Sequence, residues 1–102
     1  MWIFTNKGFL SVVQHKDDPV VLLVRSRFAG HVKALFPKAR VIKTPDADYR
    51  YRAIGSRRQF ACKLAEAAKK IDYTNFKNSL EDERYHEACM DVWLALYKHQ
   101  ER

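Results

Sequence analysis

The chain has 102 residues, 47% of them apolar, and carries nineteen Lys/Arg against twelve Asp/Glu for a net charge of +7. This length predicts a single domain over 1–102, and the apolar share excludes a disordered chain. Three Gly and three Pro are too few for a low-complexity sequence.

Trp2 to Thr5 and Phe9 to His15 read as two strands. Asn6-Lys7-Gly8 between them suits a type I turn closed by a left-handed glycine. Asp17-Asp18-Pro19 is a second turn. Val20 to Val24 follows as five consecutive apolar residues, which predicts a strand covered on both faces. Phe28 to Phe36 has helical spacing and stops at Pro37. Gly30 falls in its first turn and weakens it by about 1 kcal/mol relative to alanine. Arg40 to Thr44 and Asp48 to Ile54 are short strands joined by a turn at Pro45-Asp46-Ala47. Ser56 and Gln59 match a capping box, opening a helix to about Ile71 with Phe60, Leu64, Ala67, Ala68 and Ile71 on its apolar stripe. Asp72 to Asn78 is a connector. Ser79 to Asp82 begins a last helix that ends near His99.

The order is β-β-β-α-β-β-α-α, an α+β chain. A strand–helix–strand unit from Val20 to Thr44 should cross over right-handed, and the Asp48 strand can return antiparallel into the gap. This split β-α-β arrangement predicts a permuted, ferredoxin-like, mostly antiparallel sheet of about five strands. The predicted order is the N-terminal strand, the second strand, then the Val20, Asp48 and Arg40 strands. The helices from Phe28 and Arg57 cover one face. The last helix is expected on the other, with Trp93 near the N-terminal hairpin and Met90, Leu94 and Tyr97 left for a partner.

Charge is distributed unevenly. Sixteen Lys/Arg meet six Asp/Glu through Leu80, and three meet six from Glu81 onward. The basic body could attract anions such as nucleic acid. Tyr49-Arg50-Tyr51-Arg52, read as strand, puts the tyrosines on one face and the arginines on the other. Arg25 and Arg27 close the strand paired with it. Arg25, Arg27 and Arg50 sharing a face would form a cationic sheet end that could hold phosphates. The competing expectation is internal pairing with Asp46, Asp48 or acids of the last helix. Arg57 and Arg58 at a helix start are a second, weaker anion site.

Nothing points to catalysis. His15, His31, His86 and His99 are scattered, no group has zinc spacing, and no glycine-rich loop cradles phosphates. No cofactor and no metal are expected. Cys62 and Cys89 fit buried free thiols in a reducing compartment. Met1 to Lys7 has no signal-peptide pattern and no apolar run approaches a membrane span, so a cytoplasmic protein is expected.

Met1-Trp2-Ile3-Phe4-Thr5, Gly8 to Val13, Asp48 to Arg52, Asp72 to Lys77 and Val92 to Tyr97 together resemble a family of small bacterial proteins beginning Met-Trp-(Ile/Leu)-Phe-Thr. The resemblance covers nearly the whole chain. It implies a bacterial or phage origin and brings no activity with it. The sequence therefore predicts a non-catalytic binding protein acting on nucleic acid or another anionic partner. The alternatives are a protein-interaction module or homodimer, and thirdly a small enzyme.

Overall fold

The computed structural model describes residues 1–100. They fall into two compact units, 1–71 and from Asp72 onward. The first unit is a five-stranded antiparallel sheet with two helices. Its elements are β1 (Trp2–Thr5), β2 (Gly8–Gln14), β3 (Val21–Ser26), α1 (His31–Leu35), β4 (Ile42–Lys43), β5 (Tyr51–Ser56) and α2 (Arg57–Lys69). The spatial order β1-β2-β3-β5-β4 matches the sequence expectation, with β5 antiparallel to both β3 and β4.

Register decides which residues share a face, because paired positions in an antiparallel sheet project to the same side. Val12, Val24 and Ala53 are partners across three strands, and all three are buried. With Leu10 and Leu22 they form the core, joined by Val32 of α1 and Phe60 of α2, with Leu35, Phe36 and Leu64 packed against it. Fully burying such side chains contributes about 1.5–3 kcal/mol each. The helices from Phe28 and Arg57 therefore supply the cover expected of them.

Several boundaries differ from expectation. β3 alternates between half-buried and buried positions, so only one of its faces is sealed. The first helix has five residues, because Gly30 precedes it at φ 88°, a left-handed geometry at the N-cap. Gly30 thus permits the turn rather than weakening a helix from inside. The β1–β2 connection is the two residues Asn6 and Lys7, and Gly30 is the only described glycine with positive φ. Thr5 closes that turn: its Oγ1 accepts from the Lys7 and Gly8 N–H groups and donates to the Gly8 carbonyl.

Gly8 is needed for a different reason. The His31 ring lies against it, and Nδ1 of His31 accepts the Phe9 N–H at 3.0 Å. A Cβ at Gly8 would sit 2.6 Å from His31 Cγ. The histidine is a packed connector between α1 and β2. At α2 the capping box is present as expected, with Ser56 Oγ accepting from the Gln59 N–H. That helix stops at Lys69, and Ile71, expected on its stripe, is exposed. Cys62 is also exposed, contrary to the buried thiol expected there, because it falls on the solvent side of α2.

The second unit is a single 3-10 turn (Lys77–Ser79) followed by α3 (Glu83–Lys98). Asp82 caps α3 by accepting the Tyr85 N–H, so the helix starts four residues later than Ser79. Tyr85 and Cys89 are its buried residues. Burial pushes the Tyr85 hydroxyl well above its ordinary pKa, and the adjacent Cys89 thiol adds to the effect. Burial likewise raises the Cys89 thiol, against a smaller opposing effect of its hydrogen bond with Tyr85. Trp93 stacks on Tyr97 at 5.3 Å and takes the Lys77 ammonium over its ring at 4.2 Å.

Two measurements check this packing. Gly8→Ala should force the His31 ring off β2 and lower stability by about 1–3 kcal/mol, the usual range for overpacking. An unchanged urea midpoint would mean that the contact yields freely. In the native protein one thiol, Cys62, should react with an aromatic disulfide reagent at pH 8, and both should react after unfolding. Two fast thiols in the native state would contradict the buried, raised Cys89.

Candidate functional site

β3 and β5 run antiparallel with Val24 opposite Ala53 and Arg25 opposite Arg52. The first pair is buried in the core, so the period of two sends both arginines to the other face. Like charges placed directly opposite one another destabilise a sheet unless something compensates. Three features of the 46–50 segment do so in part.

This segment is a bend rather than the beginning of a strand, as Pro45 and the acids on either side of Ala47 favour turn over ladder. β5 therefore starts at Tyr51, not Asp48. Tyr49 and Tyr51 accordingly do not share a face as the sequence suggests. Tyr51 pairs with Ser26 and Lys43 on the helix-covered side. The Tyr49 ring instead lies between two guanidinium groups, 4.5 Å from Arg25 and 4.3 Å from Arg27. At 5% exposure it is the most enclosed aromatic side chain of the first unit. Each such contact contributes about 0.5–2 kcal/mol, more as water is excluded.

The remaining partners are mostly neutral. Arg25 Nη2 donates to Ser11 Oγ at 2.8 Å, and Arg25 Nε is buried without an acceptor. Arg27 Nη1 donates to the Asp48 carbonyl. Arg52 Nε donates to the Tyr49 carbonyl, and its Nη2 lies 3.4 Å from the Asp48 carboxylate. Asp48 Oδ1 also accepts the Tyr49 N–H at 2.8 Å. One carboxylate thus organises the bend, and among the described residues it is the only one that any of these arginines meets. The internal neutralisation by Asp46 considered from the sequence is absent among the described residues. Arg50 is exposed beside this cluster.

Arg57 and Arg58 lie elsewhere. They follow Ser56, at the opposite end of β5 and about 13 Å along the strand from Arg52 at the usual rise per residue. Arg57 is committed to structure: Nε donates to the Pro19 carbonyl and Nη2 to Gln14 Oε1, tying the β2–β3 turn to the start of α2. Arg58 is exposed. Of the eight candidate residues, Arg25, Arg27, Tyr49 and Arg52 are therefore brought together with Arg50 beside them, Tyr51 lies on the opposite face of the sheet, and Arg57 and Arg58 form a separate pair.

Sequence reasoning missed Ser11, whereas the Asp48 pairing it weighed is present, at Arg52. A serine inside Phe9-Leu10-Ser11-Val12-Val13 was the available signal. It is 1% exposed on the face away from the core, which calls for a polar partner. Among the described residues no group of three or more His, Cys, Asp or Glu could hold a metal ion. No helix among them is long and apolar enough to cross a membrane. The chain matches no protein-family model, no curated protein and no solved structure in comparisons with known proteins.

The stack makes a sharp mutational prediction. Tyr49→Phe keeps the ring and should change stability by less than about 1 kcal/mol, whereas Tyr49→Ala removes the spacer between two guanidinium groups and should cost about 3–5 kcal/mol. Equal losses for the two variants, read from denaturant midpoints, would contradict the stacking role.

Proposed function

We propose that this chain is a small, non-catalytic cytoplasmic binding protein of bacterial or phage origin, and that the arginine end of its sheet holds an anionic partner, nucleic acid before others. The proposal includes the resemblance to small bacterial proteins beginning Met-Trp-(Ile/Leu)-Phe-Thr. It also reads the split β-α-β core as a permuted ferredoxin-like sheet, with its last strand supplied from the front of the chain.

The observation that carries the reading is the Arg25–Arg52 cross-strand pair. Among the described residues Arg25 and Arg27 meet no carboxylate, and Arg52 is the one arginine that the Asp48 carboxylate meets. An anion placed there would relieve repulsion between groups that the fold forces together. The surroundings favour it further, since residues 1–71 carry fifteen Lys/Arg against five Asp/Glu. Arginine forks match phosphate oxygens, and the planar faces taken by Tyr49 leave in-plane N–H groups for such contacts.

A protein partner or a second copy is the other reading. It is favoured by α3, where Trp93, Leu94, Leu96 and Tyr97 are all exposed. These residues lie in the second unit and would act independently of the arginines. An enzyme ranks third, since His31 is occupied by the Phe9 N–H.

Binding of a labelled single-stranded oligonucleotide tests the leading reading. Wild type should bind with an affinity that falls steeply between about 50 and 200 mM salt. Arg27→Ala with Arg50→Ala should weaken binding at least tenfold at low salt. It should also flatten the logarithmic salt slope by about 0.7 for each phosphate contact removed. Absence of any salt-sensitive binding by wild type would exclude nucleic acid.

A further inference from the structure

The arginine cluster has an aromatic neighbour on the same face. Trp2 is the register partner of Ser11, Ser11 of Arg25, Arg25 of Arg52, and Arg52 of Ile42. One rung thus crosses all five strands, with a tryptophan on the edge strand and two arginines near the other side. Strands lie about 4.8 Å apart, so Trp2 stands about 10 Å from Arg25 and about 14 Å from Arg52, measured backbone to backbone. Ser11, the small residue between them, is held beneath the Arg25 fork.

Trp2 is placed unusually for an indole. It is 70% exposed on β1, the edge strand of the sheet. Phe9 meets it edge-on at 6.1 Å, and Phe4 stacks on Phe9 at 4.5 Å. These contacts fix the ring's attitude while leaving most of it open. A core residue would be buried, and a tryptophan kept only for strand propensity would not need two supporting rings.

We propose that a single strand of nucleic acid crosses this face of the sheet, with a base stacked on Trp2 and phosphates at Arg27, Arg50 and Arg52. The inference rests on the anion-binding reading and adds to it the form of the ligand. Charge complementarity selects a polyanion, because the rung belongs to a unit with a threefold excess of Lys/Arg over Asp/Glu. The exposed ring selects a single strand, because a stacking platform needs an unpaired base, and a duplex keeps its bases stacked on one another. Arg25 is a positioning residue here. Its guanidinium face holds Tyr49 and its Nη2 holds Ser11, so its part is to fix the neighbours of the site.

The experiment uses the full chain with Trp93→Phe, which leaves Trp2 as the only tryptophan. An oligodeoxythymidylate of about ten nucleotides, within the span one small domain covers, is titrated at low salt, beside a duplex of matched charge. The expected result is quenching of Trp2 emission by the single strand and little change with the duplex. Trp2→Ala should weaken single-strand binding about tenfold, the low-to-middle range for one stacked base, and leave duplex binding unaltered. Trp2→Phe should recover part of the loss. Salt-sensitive binding that needs Arg27 and Arg50 but ignores Trp2 would overturn this inference while leaving the anion-binding reading intact. No binding of either probe would remove both. Self-association of wild type that disappears in Trp2→Ala, read by light scattering, would make the indole a protein contact and overturn the inference. Because Trp2 is largely exposed, these variants should fold, and circular dichroism checks that they do.

Discussion

Everything at the candidate site follows from the return of β5 into the gap between β3 and β4. The crossover from β3 through α1 to β4 leaves one strand width open, and β5 fills it antiparallel. Its register is set by burial: Ala53 must meet Val24 beneath the helices, since a slip of one residue would turn every core side chain outward. That requirement also fixes Arg52 opposite Arg25 on the other face. The repulsion between them is a by-product of core packing, and it is eased by Tyr49, a backbone carbonyl and one carboxylate. A hydrophobic constraint on one side of the sheet thereby produces a concentrated positive charge on the other.

The topology was legible in the sequence because its signals are regular. The apolar run Val20 to Val24, the Ser56–Gln59 capping box and the crossover rule together lead to the observed strand order. Short elements were less legible. Arg40 to Thr44 reads as five strand residues but forms two, Ile42 and Lys43, because a terminal strand with one neighbour gains few ladder bonds. Asp48 to Arg50 reads as strand because tyrosine and arginine fit the period. The Asp48 side chain instead binds the next N–H and keeps the backbone in a bend. The identity of the arginines could be read, but their arrangement depended on where that bend ended. Gly8 and Gly30 exchange roles for a related reason: which glycine needs positive φ, and which needs room for a ring, is decided by a contact twenty-three residues away.

The second unit is chemically unlike the first. Residues from Asp72 onward carry four Lys/Arg against seven Asp/Glu. Its organising contacts are two pairs on α3 whose members lie one turn apart, Tyr85 with Cys89 and Trp93 with Tyr97. Apolar residues are more numerous on this helix than one stripe can hold, which is why Leu94 and Leu96 remain exposed. Two kinds of surface therefore coexist in one short chain, an arginine rung on a sheet and an apolar helix face, and each suits a different class of partner.

The central claim is that Arg25 and Arg52 are forced together without sufficient internal compensation. A double-mutant cycle on stability measures this directly, using Arg25→Met, Arg52→Met and the double variant so that side-chain volume is retained. The account predicts an unfavourable coupling between the two arginines, a few tenths to about 1 kcal/mol in low-salt buffer, that shrinks when phosphate or oligonucleotide is added. A favourable coupling, or one that is zero and indifferent to anions, would show that the pair is already satisfied within the fold and would contradict the account.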